Sequence, residues 1–405
     1  MHCSGAYSRQ RADPYIGLSC GSRAAARVKH VLPSKREQSK QHTNPIQISI
    51  NPTIATPTTR EKATMCHGGG AHDVSPRSTT MNIEQRYFCL STYFHQRFGQ
   101  RVQKIPLYAG FSCPNRDGSL STSGCIFCNP MGSGSGEKMQ HMSLRDQYMW
   151  WRDTFYKKYK VQRFLAYLQS FTNTYGPLSK LTAVLDQLRE LPEIQGLCIG
   201  TRPDCVDREK ISALAAFPGS ECWLELGLQS SNDRTLKKIN RGHDAASFAR
   251  AATMASEEGL AVCAHIIAGL PGESRENFLQ TIAFVNDLPV QGIKIHNLYV
   301  CKGTTLGTWW EHDNYVPLQR AEYIDWVIHG LAILRPDIVI HRINGDPQPG
   351  ELLAPAWAGN KSQILQAIHN ELCSQDIWQG QLSGYAATQP PWFSRSYQGD
   401  IPPCR

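Results

Sequence analysis

From about Asn82 onward, the chain repeats one pattern six times: a short run rich in Val, Ile and Leu, then a stretch with helical periodicity. The strand-like runs occupy 104–111, 163–170, 195–201, 222–230, 261–270 and 292–300. Helical patterns follow at 143–159, 178–191, 208–217, 233–239 with 245–258, 275–287 and 318–334. Ser143 and Asp146 are spaced as a capping pair for the first of them. Continuous apolar strands separated by helices specify a parallel sheet covered by helices, because such strands have no polar face to show to water. Six units suit an open doubly wound sheet or a partial (β/α)6 barrel. Polar and glycine-rich motifs end each run: GFSCPNRDG, LQSFTNTY, GTRPDC, LGLQS, AGLPGES and HNLYVCKGT. Ligands bind at that edge of α/β folds, and six such endings on one rim favour a barrel mouth. The expected fold is α/β, a partial (β/α)6 TIM-like barrel over residues 81–345. Residues 346–405 are expected to pack on the barrel and to end in a flexible tail.

Upstream of the repeating pattern the grammar differs. Residues 1–80 are rich in Ser, Thr, Pro, Gln and basic residues with no sustained hydrophobic period, which reads as disorder. Their basic, acid-poor makeup is that of an organellar transit peptide; an arbitrary extension upstream of a start at Met65 or Met81 fits it equally. The expected location is accordingly the cytoplasm or an organellar matrix. CHGGGAHD, residues 66–73, holds metal-capable side chains but no second cluster beside it, and reads as linker. The formal charge of +8 is concentrated here: 11 Lys or Arg stand against four acids, leaving 31 bases and 30 acids for residues 81–405. The folded part therefore advertises no bulk grip on a polyanion, although a local patch is compatible with these numbers. No stretch approaches 18 uninterrupted apolar residues, so no membrane span is expected.

Fourteen cysteines in a long chain without a signal-peptide core point to a reducing compartment. Cys198, Cys222 and Cys263 sit in apolar runs and read as buried thiols. Cys113, Cys125 and Cys128 differ: they are spaced C-x11-C-x2-C on the loop after the first strand. Thiolates suit zinc or iron–sulfur centres. A structural zinc normally takes four ligands, for which His141 is the available fourth. Three cysteines on a four-iron cube instead leave one iron open to a substrate or cosubstrate. Pro114, Gly118, Gly124 and the strand-end position all suit an exposed ligand loop.

The string GFSCPNRDGSLSTSGCIFCN resembles the cluster loop of the elongator-like radical S-adenosylmethionine (SAM) proteins, in particular the YhcC/YtqA-type family. GTRPDC, LELGLQS, INRGHD, HIIAGLPGE, GIKIH and KGT follow in the family's order, so the resemblance covers about residues 84–370. It implies a radical SAM barrel holding a [4Fe-4S] cluster on Cys113, Cys125 and Cys128, with SAM on the open iron. Reductive cleavage of SAM would give a 5′-deoxyadenosyl radical that abstracts hydrogen from the substrate. An electron donor such as flavodoxin or ferredoxin is implied. The elongator-like relatives imply a tRNA wobble uridine as substrate, and a small molecule is the other substrate class. The alternative of another kind is a non-enzymatic, zinc-stabilised α/β interaction module built on the same cysteines.

Relatives hold the SAM amino group at the end of the second strand, often with Gly-Gly-Glu; here Gln169, Ser170 and Thr172 take that place. Glu225 and Gln229 point to one face of the fourth strand and are suited to SAM's ribose and carboxylate if that face is the lumen. The strand end carrying Gly269 matches the one that packs near adenine, where a glycine permits close backbone approach. His265, Lys294 and His296, aimed into one barrel, are substrate-binding candidates. Asn240, Arg241, Gly242 and His243 form a loop between helices, and Arg202 with Asp204 could shape the rim as an ion pair. No residue is singled out as a catalytic acid or base.

Overall fold

The computed structural model describes residues 84–129, 132, 139, 141–385 and 390–393. The expectations for residues 1–80, for the linker at 66–73 and for the end of the tail lie outside the described residues. Helix α1 (Leu90–Phe98) leads into β1 (Val102–Leu107). Then come α2 (Leu144–Tyr159), β2 (Arg163–Leu168), α3 (Leu178–Arg189), β3 (Ile194–Thr201), α4 (Arg208–Ala215) and β4 (Glu221–Gln229). After α5 (Asp233–Lys238) and α6 (Ala245–Glu257) follow β5 (Ala261–Ala268), α7 (Arg275–Asn286) and β6 (Gly292–Asn297). The chain continues through β7 (Val300–Cys301), α8 (Thr305–Glu311), α9 (Arg320–Ile333), β8 (Val339–Arg342), β9 (Leu352–Ala354) and α10 (Lys361–Ser374).

The main sheet has the order β1-β2-β3-β4-β5-β6-β8, and every pairing in it is parallel. Each crossover thus joins neighbours and the order never reverses. A doubly wound sheet reverses at its switch point, so this is the partial barrel. The sheet curls so that alternate side chains face a lumen and the others face the helices. Outward residues such as Leu197, Ile199, Leu224, Leu226 and Val262 pack under Leu185 and Leu188 of α3, Phe248 and Ala252 of α6, and Phe278 and Ile282 of α7. A second apolar cluster plugs the N-terminal end of the lumen: Val102, Leu165, Cys198, Trp223, Cys263 and Val339 meet Phe94 of α1. Tyr93 and Trp223 both donate to Glu221 Oε1, at 2.7 and 2.6 Å, and so tie α1 to β4. The Cys198 and Cys263 thiols expected in the core are fully buried there, while Cys222 is partly covered.

The boundaries differ from the expected ones for local reasons. Strand β1 stops at Leu107 because the Gln147 side chain takes both backbone groups of Tyr108, at 2.8 and 3.0 Å. The run expected over 292–300 breaks after Asn297, whose Oδ1 accepts from Gly345 N at 2.7 Å; the chain beyond it pairs antiparallel with β9. A seventh parallel strand, β8, was not expected. Ser143 caps α2 as its spacing predicts, accepting from Asp146 N at 3.1 Å.

Leu224 lies in the central strand with no exposure. Leu224→Ala should lower unfolding free energy by about 2–5 kcal/mol, the usual cost of a cavity in a packed core. Urea unfolding of the two proteins measures it, and an unchanged midpoint would show that the layer repacks.

Candidate active site

The loop after β1 carries three cysteines to the C-terminal rim. Its long gap folds on itself: Pro114 O accepts from Leu120 N at 2.8 Å and Asn115 O from Gly124 N at 2.7 Å. Gly118 and Gly124 have φ of 92° and 74°, which a side chain would resist. Cys125 is thereby returned toward Cys113, and Cys128 N donates to Cys125 O at 3.0 Å. The turn between α5 and α6 clasps this loop. Asn240 Nδ2 donates to Gly124 O at 2.7 Å, Asn115 Nδ2 to Asn240 O at 2.5 Å, and Ile126 N to Ile239 O at 3.2 Å. Buried Arg241 reaches across the turn, with Nη2 donating to Gly227 O at 2.8 Å and Nη1 lying 3.6 Å from Cys125 Sγ. Asn115 Nδ2 is also 3.6 Å from that sulfur. A Cβ at position 227 would collide with Arg241 Nη2, so β4 needs glycine where the arginine passes.

Cys113, Cys125 and Cys128 line one side of a cavity of about 250 Å³ that runs down into the lumen. Burial, and then the neighbouring Cys125 sulfur, push the Cys128 thiol up. Strain collects at this rim. Phe171 and Gln229, both lining the cavity, and Asn240, which holds the loop, have φ of 65°, 73° and 53°. Non-glycine residues hold such angles only where the surroundings enforce them.

Deeper in, the lumen is ionic. Glu225 has no exposure; its carboxylate receives Lys104 Nζ at 2.9 Å, Lys294 Nζ, and His265 Nε2 at 3.1 Å. Lys294 also donates to the Tyr167 hydroxyl at 2.8 Å, and Lys104 Nζ meets His341 Nδ1 at 3.1 Å. Burial alone would raise the Glu225 carboxyl, but Lys104 and Lys294 outweigh it and hold the group well below the carboxylate range. Burial first, and then Lys294, push His265 down to about 4. His296 is lowered by burial and by His265 and Arg342.

Two family models match the chain: the radical SAM superfamily over residues 115–285 and the radical SAM C-terminal domain over 290–374. YtqA of Bacillus subtilis is 36% identical over 302 residues, which are 74% of this chain and 94% of the relative. The chain belongs to the radical SAM superfamily. It falls in the elongator-like YhcC/YtqA group, as its motifs imply. The tRNA uridine(34) acetyltransferase of Dehalococcoides mccartyi is 32% identical over 154 residues, 37% of this chain and 33% of that enzyme. The solved structure of Methanocaldococcus infernus Elp3 shares the fold, with a TM-score of 0.53 at 18% identity, covering 69% of this chain and 64% of that one.

Radical SAM membership makes the protein an enzyme that uses a [4Fe-4S] cluster, SAM and an external reductant. The site suits them. Among the described residues no three His, Cys, Asp or Glu side chains gather where a single ion could sit. His141, the candidate fourth zinc ligand, is exposed and does not line the cavity. Arg202 Nη1 and Arg241 Nε are buried with no hydrogen-bond partner among the described residues, as donors facing an anionic centre would be. No described helix is long and apolar enough to cross a membrane.

Gln169, Thr172, Glu225, Gln229, His265, Lys294 and His296 all line the cavity that the three thiols line. Gly269 does not; its carbonyl accepts from Tyr315 at 2.8 Å and its open side faces Leu318. Ser170 is buried off the lining. Arg202 pairs with Asp204 at 2.7 Å as expected, and the Asn240–His243 loop is the clasp described above. Sequence reasoning missed Lys104, His341 and Arg342. Lys104 lay in an expected strand whose period was legible, but β8 is only four residues long and gave no periodic signal.

Between the unfolded imidazole value near 6.5 and the folded value of about 4, the native state binds fewer protons at His265 than the unfolded chain. Its neutral form therefore stabilises the fold fully above pH 6.5, and that stability is lost as pH falls toward 4. Urea unfolding from pH 7 to 4.5 should show the wild type losing up to about 1.4 kcal/mol per pH unit more than His265→Gln. Parallel slopes would remove His265 from the titrating set.

Proposed function

We propose that Cys113, Cys125 and Cys128 are the cluster ligands, and that the lumen beneath them receives a tRNA wobble uridine for radical modification. The observation that carries the first part is that three thiols of one clasped loop line a single cavity, with Arg241 Nη1 and Asn115 Nδ2 each 3.6 Å from Cys125 Sγ. Thiolates on one cavity lining beside the buried guanidiniums of Arg202 and Arg241 suit an anionic iron–sulfur cube. When bound, the cluster supplies the electron that cleaves SAM to methionine and the 5′-deoxyadenosyl radical. The chain's own residues bind, orient and exclude water. Gln169 and Gln229 flank the thiols on the cavity wall and are suited to SAM's polar groups. The Glu225 carboxylate is engaged by Lys104, Lys294 and His265, so it serves SAM by organising the floor. His265, Lys294 and His296 face the substrate side of the lumen, the first two from places already bonded to Glu225. Flavodoxin or ferredoxin would supply the electron.

The tRNA part is supported by the similarity to a tRNA uridine(34) acetyltransferase over 154 residues. A small-molecule substrate is the second reading, favoured by the near balance of 31 bases and 30 acids over residues 81–405.

Cys113→Ser, Cys125→Ser and Cys128→Ser should each abolish the brown chromophore and 5′-deoxyadenosine formation after anaerobic reconstitution, because a hydroxyl is a poor ligand for cluster iron. Cys198→Ser and Cys205→Ser should spare both, with circular dichroism reporting the fold. A Cys113→Ser protein with a full iron complement and intact SAM cleavage would remove that first, distant ligand. For the substrate, tRNA from a strain lacking the protein should show an altered wobble-uridine nucleoside by mass spectrometry. An unchanged profile under expressing conditions would transfer the reading to small molecules.

A further inference from the structure

The floor of the lumen holds more cation than its one carboxylate can neutralise. In sheet register, His265 stands beside Lys294 and Lys294 beside Arg342, a row across β5, β6 and β8 on the lumen side. Lys294 and His265 are engaged with Glu225, as is Lys104 from β1. Arg342 is not: this partly buried guanidinium lines the cavity and has no hydrogen-bond or ion-pair partner among the described residues. The other acids on the lining are occupied elsewhere. Asp346 pairs with Lys361 at 2.8 Å, and both Glu351 oxygens lie 3.0 Å from Asn129 Nδ2.

Leaving a guanidinium partly desolvated with no counter-charge is costly. Its planar fork matches a carboxylate or a phosphate, both of which accept two parallel N–H bonds. The neighbours are consistent with an anion arriving from outside. His296, its ring centroid 5.6 Å from that of His265, is held neutral by burial and by the surrounding groups, Arg342 included, and keeps one N–H to donate, whereas the N–H of His265 goes to Glu225. Tyr299 flanks the same end of the cavity.

We infer that Arg342 forms the centre of an anion subsite in the lumen, which takes a carboxylate or phosphate group of the substrate. This rests on the proposed reading only in that the lumen is the substrate chamber.

Protection of Arg342 from phenylglyoxal, followed by peptide mass spectrometry, tests it on the reconstituted holoenzyme. Labelling is run with saturating SAM and with sodium acetate or inorganic phosphate against sodium chloride at equal ionic strength. Acetate or phosphate should slow labelling of Arg342 several-fold while surface arginines such as Arg250 and Arg208 are unaffected. Preference for acetate assigns the subsite to a carboxylate, and preference for phosphate to a phosphate. Thermal unfolding is the second readout: the midpoint should rise with the preferred anion in the wild type and not in Arg342→Met, by mass-action linkage. Equal labelling in all three salts overturns the subsite. So does complete protection by SAM alone, which would give Arg342 to the cofactor. If Arg342→Met fails to fold, the labelling of the wild-type chain decides. Neither readout uses RNA, so a failure here leaves the nucleoside analysis standing, and an unchanged nucleoside profile leaves this subsite standing.

Discussion

Glu225 is the residue on which the interior depends. A carboxylate with no exposure survives only if paired, and its partners come from β1, β5 and β6, with His341 of β8 3.7 Å away. The sheet is open between its first and last strands, β1 and β8. Lys104 and His341, one from each edge, meet at 3.1 Å beside Glu225. A buried network of this kind adds little net stability over an apolar core, but losing one member strands a charge. It therefore holds the two sheet edges in one arrangement. Outside the lumen, backbone contacts complete the seam, with Ile340 N donating to Phe88 O at 2.7 Å just before α1.

Above that floor the polypeptide spends its irregular backbone on the rim. The cysteine loop has little regular structure of its own and takes its shape from the α5–α6 turn, which belongs to a different part of the sequence. Arg241 joins the two, because one guanidinium bonds the β4 backbone at Gly227 and reaches Cys125 Sγ. The glycine in LELGLQS and the arginine in INRGHD are thus one device read at two places in the sequence.

How far the sequence could be read follows from which interactions are local. Six strand–helix units were legible because periodicity is local, and the Ser143 cap because it spans three residues. The thiol set was legible because C-x11-C-x2-C lies within one loop. Strand β8 was not, since VIHR is too short for a period and its strand character comes from pairing with β6. Helix α1 has no side-chain cap at Cys89, and its fixed position depends on Tyr93 and Arg97 reaching Glu221, over a hundred residues away. Glu225 was legible as a lumen residue, but its occupancy by two lysines and a histidine is tertiary, and so was hidden. The clasp was visible only as a family string, because its partners lie in the loop more than a hundred residues upstream.

The pinned charges have a chemical consequence. Glu225 is held ionised, His265 is neutral with a value of about 4, His296 and His341 lie well below their ordinary range, and Tyr167 lies well above its own. None of these five titrates near neutral pH, so they are poorly suited to exchanging protons with a bound substrate; Lys294 beside them is the lining group that burial shifts toward neutrality. General acid–base catalysis wants the opposite, a group poised near the working pH. Hydrogen-atom abstraction by a carbon radical needs no such group; it needs a substrate held in position and water kept out. A lumen whose carboxylate and histidines hold fixed protonation states suits a reaction of that kind.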